Sequence, residues 1–287
     1  MTVYTHLISV DQLKALQASG APLRVVDCSF DLSDPAQADA MFAEQHIAEA
    51  AQAHLDRDLS AKDAANAVNG GRHPLPKREL FAHTLRRLGI NNAMQVVVYD
   101  RNGANYCGRL WWMLKWAGHD AVAVLDGGLQ AWAAADGALQ SGAAQPQPDG
   151  DFQLGEPLRR LVLIDDVMAG LGRPTQTLID ARGGPRYRGE TEPLDPVAGH
   201  IPGALNRPFN DNLGADGHFK PAAQLRQEFD TLLAGRDGAG VVHHCGSGVS
   251  AVPNVLAMEL AGYAPAGLYA GSWSEWSRRQ ELPVARG

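Results

Sequence analysis

Cysteine is scarce in this chain: Cys28, Cys107 and Cys245 are the only three in 287 residues. So few and so scattered, they exclude a disulfide framework and a cysteine-built zinc site, and they suit a reducing compartment. An excess of positive charge is also missing. Lys and Arg number 25 against 32 Asp and Glu, leaving a net charge of −7, which argues against nucleic acid or an anionic membrane as the main partner. There is no long apolar run. The most apolar window, Leu110 to Leu125, is broken by Lys115, His119 and Asp120, so no membrane span is expected. The first residues, Met1 to His6, carry no basic segment and no apolar stretch, so no secretory leader is expected and the expected location is the cytoplasm. What is present is 45% hydrophobic and 20% charged. That suffices for a buried core in one large or two ordinary domains.

The chain resembles itself. Leu23-Arg24-Val25-Val26-Asp27 answers to Thr177-Leu178-Ile179-Asp180, and His46-Ile47 to His200-Ile201. The run ending at Asp100 answers to the run ending at Cys245, and Leu125 to Trp132 answers to Leu268 to Trp276 at its glycine and final tryptophan. Each half alternates short Val/Ile/Leu runs with amphipathic stretches, which predicts an α/β fold with a mostly parallel sheet flanked by helices on both faces. Ser9 is placed to cap a helix from Val10 to Ala18, Lys77 to Leu88 reads as a helix stopped by Gly89, and Gln95 to Tyr99 reads as a strand. A polar, glycine-bearing excursion through Asn69-Gly70-Gly71-Arg72-His73-Pro74 is too long for a plain connection and is a candidate functional loop. The expected division is a domain over residues 1–137, a Pro/Gly/Gln-rich linker over 138–153, and a second domain over 154–287.

The stretch with chemistry in it is Val241-Val242-His243-His244-Cys245-Gly246-Ser247-Gly248-Val249-Ser250-Ala251. A buried strand runs into a cysteine, a glycine-rich turn and then a helix. Backbone N–H groups at such a turn and at the helix N-terminus favour an anion, and so favour the thiolate of Cys245 as a nucleophile. Gly246 and Gly248 let the backbone curl so that several N–H groups converge. The plainer reading of Cys245 as a small buried hydrophobe does not explain Gly-Ser-Gly directly after it. Only one half carries this nucleophile, since Asp100 stands at the equivalent strand end. His243 and His244 sit side by side on a strand and point to opposite faces, so they do not make a metal site. Cys28 and Cys107 read as core thiols, and Trp111, Trp112 and Trp116 as helix core.

These residues resemble the rhodanese superfamily, and more narrowly the two-domain thiosulfate/3-mercaptopyruvate sulfurtransferases, over nearly the whole chain. Cys245-Gly246-Ser247-Gly248-Val249-Ser250-Ala251 is similar to the active-site loop of mercaptopyruvate sulfurtransferases, with Ser250 where threonine is usual. His200-Ile201-Pro202-Gly203-Ala204 matches an early motif of the family, with Pro196 where an aromatic is expected, and Ala266 to Trp276 fits a C-terminal motif. The resemblance implies tandem rhodanese-like domains, the first of them non-catalytic. It implies transfer of sulfane sulfur from a small anionic donor, through a Cys245 persulfide, to a thiol, a thioredoxin-like protein or cyanide, with no cofactor and no metal.

By the same resemblance Ser247, His73 and Asp58 form an assisting set, Arg186 binds the donor anion, and the loop backbone at Gly246, Gly248, Val249 and Ser250 holds it. Arg182 and Arg188 are expected to be structural or solvated. Mercaptopyruvate sulfurtransferases carry a second arginine after a Glu-Pro pair, where this chain has Thr191-Glu192-Pro193-Leu194-Asp195-Pro196, and Arg72 or Arg101 is the expected replacement. Thiosulfate-type rhodaneses carry Arg and Lys directly after the cysteine, where this chain has Gly246 and Ser247. The favoured donor is therefore 3-mercaptopyruvate, with thiosulfate as the alternative. A cysteine phosphatase needs an arginine six residues after the cysteine, and Ala251 stands there. A persulfide relay or a non-enzymatic rhodanese-like binding module is the remaining rival.

Overall fold

The computed structural model describes residues 2–287. The chain divides into two compact units: Met1–Asn66, Pro76–Leu158 and Ala215–His218 form the first, and Ala67–Leu75, Arg159–Gly214 and Phe219–Gly287 the second. The short segment Ala67–Leu75, expected with the N-terminal domain, thus belongs to the second unit. The linker is not a free tether either. Leu139–Gln140 pairs antiparallel with His46–Ile47, and the N–H groups of Gly142 and Gly150 donate to the carbonyls of Ala43 and Arg86. The first unit accordingly runs on to Leu158.

In the first unit, β1 (Leu7–Ile8) leads into α1 (Val10–Ala18), whose first turn is closed by a capping box between Ser9 and Gln12. Then come β2 (Leu23–Asp27), α2 (Gln37–Glu44), β3 (His46–Ile47), β4 (Ala51–Gln52), α3 (Arg78–Arg87) and β5 (Gln95–Tyr99). The unit closes with α4 (Cys107–Trp116), β6 (Val122–Leu125), α5 (Gly128–Ala134) and β7 (Leu139–Gln140). Its main sheet is parallel in the order β1-β6-β5-β2-β4. Every residue of β5 is buried, which is why the strand after Gln95 reads as the apolar run Val96-Val97-Val98-Tyr99. Helix α4 is buried on every side. Its two cations are satisfied internally, Arg109 by the Leu59 carbonyl at 2.9 and 3.0 Å and Lys115 by the Asp120 carbonyl at 2.7 Å.

The second unit repeats the plan with β8 (Leu161–Val162), α6 (Ile164–Gly170), β9 (Thr177–Asp180), α7 (Gly184–Tyr187) and β10 (Leu205–Asn206). After them come α8 (Ala222–Leu233), β11 (Val241–His244), α9 (Val252–Leu260), β12 (Gly267–Tyr269) and α10 (Ser272–Trp276). Its sheet, β10-β9-β11-β12-β8, is again parallel throughout and matches the first sheet strand for strand. One face packs Leu178, Val242, Tyr269, Trp273 and Trp276; the other packs Ile179, Val241, Phe229, Ala257 and Met258. All four residues of β11 are buried, Val241 and Val242 within the two packed faces and His243 and His244 beyond them. Among the described residues, no helix is long and apolar enough to cross a membrane.

Candidate active site

In open parallel sheets the usable crevice lies beyond the carboxyl ends of the strands. In the second unit Cys245 is the first residue past the end of central strand β11, and it is buried. Its N–H donates to Ser272 Oγ at 3.0 Å, and that hydroxyl donates on to the Tyr269 carbonyl at 2.9 Å. The carbonyls of Cys245 and Gly246 accept the N–H groups of Trp273 (2.9 Å) and Ser274 (2.8 Å). The loop is therefore fastened to the start of α10, with a strained left-handed backbone at Ser272 (φ 54). Gly248 has φ +72, and a Cβ there would run into the Ala270 carbonyl oxygen, so only glycine fits. Helix α9 follows at once. Ala251 is its N-cap and offers no side-chain cap, so the positive end of the dipole faces the Cys245 loop unmasked.

The first unit shows what such a loop holds. Asp100, the counterpart of Cys245 past the end of β5, is buried and folds its carboxylate back into its own loop. Oδ1 accepts the N–H groups of Asn102 (2.8 Å) and Ala104 (3.1 Å), and Oδ2 accepts those of Tyr106 (2.8 Å) and Cys107 (2.9 Å). Four backbone donors converge on one carboxylate. Cys28 and Cys107 lie buried in this unit, and burial, with Asp27 and Asp100 nearby, pushes both thiols well up.

Of the expected assisting residues, the structure brings two together. His73 reaches Ser247 within the second unit, with Nδ1 2.8 Å from Ser247 Oγ and both side chains buried. Asp58 belongs to the first unit. There its carboxylate accepts the His54 N–H at 2.7 Å and pairs with Arg87.

The arginines sort clearly. A Cβ built on Gly246 would lie 2.9 Å from Arg72 Nη2 and 3.5 and 3.6 Å from Arg186 Nη1 and Nη2, so two guanidinium groups stand over the residue after the cysteine. Arg72 is held by its N–H to Ser274 Oγ (3.0 Å) and by an ion pair with Asp195. Arg101 is engaged instead in the first unit, by Asp27 (3.3 Å), Ser29 Oγ (2.5 Å) and two carbonyls. Of the two candidate replacements, Arg72 lies in the same unit as Cys245 and beside Gly246. Arg182 is buried on Asp180 (2.6 Å) and lies over the Trp273 ring, and Arg188 pairs with Glu190 in solvent, the structural and solvated places expected.

Ser272, Ser274, Glu192 and Asp195 were not singled out from sequence. The signal for Asp195 was present, but as a missing arginine rather than as an acid with work to do. His243 and His244 are fully buried on opposite sides of β11. Burial pushes His243 down to about 3. It also lowers His244, with Asp180 4.0 Å away partly offsetting the effect. Among the described residues no cluster of three or more His, Cys, Asp or Glu could hold a metal ion.

Comparisons with known proteins find relatives over nearly the whole chain. A Pseudomonas aeruginosa protein named as a probable 3-mercaptopyruvate sulfurtransferase is 48% identical over 285 residues, covering 98% of both chains. A chicken (Gallus gallus) thiosulfate sulfurtransferase is 31% identical, covering 91% of this chain and 88% of its own. The solved 3-mercaptopyruvate sulfurtransferase from Leishmania major superposes with a TM-score of 0.83 at 28% identity, covering 98% of this chain and 76% of that one. The model of the rhodanese-like domain matches residues 9–135 and 163–279. With two such domains filling most of its length, the chain belongs to the rhodanese family.

Proposed function

We propose that this protein is a cytoplasmic sulfurtransferase whose second domain is catalytic, with Cys245 as nucleophile and 3-mercaptopyruvate as preferred donor. The observation that carries the reading is the joint placement, in one unit, of Cys245 past β11, the Ser247–His73 pair, and two arginines over Gly246.

The Cys245 thiolate attacks the donor's sulfur. A sulfur–sulfur bond forms, the donor's carbon–sulfur bond breaks, and its electron pair leaves on the enolate of pyruvate. The enolate takes up a proton and departs as pyruvate. An acceptor thiolate, that of a thioredoxin-like protein or a small thiol, or cyanide then attacks the outer sulfur and returns the Cys245 thiolate. The N–H groups at Gly246, Gly248, Val249 and Ser250 and the start of α9 hold the anionic sulfur. Arg186 and Arg72 receive the carboxylate, for which a planar guanidinium is suited. Ser247 and His73 supply the proton path to the enolate, and Asp58 enters as their partner by resemblance alone. The first domain carries no nucleophile of its own, since Asp100 fills its loop.

Thiosulfate is the second reading, favoured by the two arginines and by relatives bearing that name. Its displacement releases sulfite and needs no proton. The test is kcat/KM for both donors side by side, with Cys245→Ser as the blank. Preference for 3-mercaptopyruvate by tenfold or more, about 1.4 kcal/mol, is expected. Activity surviving in Cys245→Ser would sink the mechanism.

A further inference from the structure

The two arginines over Gly246 are the end of a longer array. Asp180 pairs with Arg182 (2.6 Å), Arg182 with Glu192 (3.2 Å), Glu192 with Arg186 (2.7 Å), Arg186 with Asp195 (3.3 Å), and Asp195 with Arg72. Three guanidinium groups thus alternate with three carboxylates. The Asp195 side chain is fully buried, whereas Arg72 and Arg186 are 19% and 22% exposed. Of these six groups, the two that reach solvent to this extent are both donors, and the carboxylate they share lies buried behind them. A donor anion arriving at Gly246 finds two forks of N–H groups in place, but an array whose formal charges cancel.

That arrangement separates two properties that a bare pair of arginines would combine. Hydrogen bonding to a planar carboxylate is retained, because Asp195 holds both forks from the rear and fixes their spacing. Attraction in proportion to ligand charge is lost, because the neutralising carboxylate is buried, where its field is poorly screened. We propose that Asp195 is a specificity-determining residue of the donor site, selecting singly charged carboxylate donors over doubly charged sulfur oxyanions. The proposal rests on the sulfurtransferase reading above, and it concerns which donor is chosen rather than which sulfur attacks.

The experiment measures kcat/KM for 3-mercaptopyruvate and thiosulfate in the full-length wild type, Asp195→Asn, Asp195→Glu and Arg72→Gln. Asp195→Asn leaves one uncancelled positive charge and is expected to move the ratio toward thiosulfate by about fivefold or more at low salt, the shift shrinking as salt is added. Asp195→Glu restores the charge and is expected to return most of the ratio. Arg72→Gln leaves one uncancelled negative charge and is expected to move the ratio the opposite way, which keeps the test sharp should the buried substitution fold poorly. Equal loss on both donors, or a ratio unchanged within about twofold in Asp195→Asn and Arg72→Gln, would overturn the proposal, since a purely structural Asp195 gives that outcome.

A second arm is independent of turnover. Protection of Cys245 from alkylation is compared for sulfate, a dianion, and pyruvate, a monoanion. Asp195→Asn is expected to improve protection by sulfate more than by pyruvate, and no such difference would overturn the charge argument. Should that difference appear while no donor yields a Cys245 persulfide, the charge argument stands and the sulfurtransferase reading falls.

Discussion

Replacing Asp100 by alanine tests, away from any reaction, whether the repeated strand–loop–helix unit is built around an anion. The carboxylate is buried and accepts four backbone N–H groups between 2.8 and 3.1 Å. A hydrogen bond to a charged acceptor contributes about 1.5–3 kcal/mol net, and each buried donor left bare costs about 1–3 kcal/mol. Four at full value would exceed what single substitutions show, because water enters such a polar hole and satisfies about three groups. The expected loss is therefore about 3–5 kcal/mol, near the top of the range for point changes. Asp100→Asn keeps the shape of the side chain but turns an NH2 toward two of the donors, so it is expected to cost nearly as much. Urea unfolding followed by fluorescence reads both as a fall in midpoint. Added sulfate or thiosulfate is expected to return about 1.4 kcal/mol to the alanine variant at ten times its dissociation constant, beyond the general salt effect on the wild type. A loss below about 1 kcal/mol, or no anion effect peculiar to the variant, would refute the idea that these loops are anion cradles.

Three other outcomes follow from the second unit. Ser247→Ala or His73→Asn is expected to lower kcat/KM for 3-mercaptopyruvate by about 10²-fold while changing thiosulfate turnover little, since only the enolate needs a proton; equal losses on both donors would contradict that role. Gly248→Ala forces a Cβ into the Ala270 carbonyl at φ +72 and is expected to cost several kcal/mol and abolish turnover, read by thermal unfolding and assay. For pH, buried His243 stays neutral down to about 3 against an ordinary 6.5. The unfolded chain binds that proton first, so its share of stability is complete above 6.5 and falls as pH drops toward 3, by up to about 1.4 kcal/mol per pH unit. His243→Leu should flatten that limb in urea titrations at stepped pH.

Much of the fold was legible because it depends on local signals. The valine-rich stretch Gln95–Tyr99 became a strand with those bounds, and Ser9 capped the helix from Val10 to Ala18. The repeat was legible because equal folds need equal spacing of apolar runs, and both sheets have the same strand order. Cys245 and its glycines stood out because a close backbone turn restricts residue type. What stayed hidden depends on contacts between residues far apart in sequence. Nothing local ties Arg72 to Asp195 or Ser274, or Glu275 to the Gly70 N–H it accepts at 2.8 Å. The same holds for Ala67–Leu75, which lies in the first half of the sequence but belongs to the second unit.

The most direct test of sulfur transfer through Cys245 is the intact mass of the protein after treatment with 3-mercaptopyruvate and removal of donor, followed by peptide mapping. One added sulfur atom is expected, carried by the Cys245 peptide, discharged by a thiol acceptor and absent from Cys245→Ser. No added sulfur, or sulfur carried on Cys28 or Cys107 with Cys245 unmodified, would contradict it.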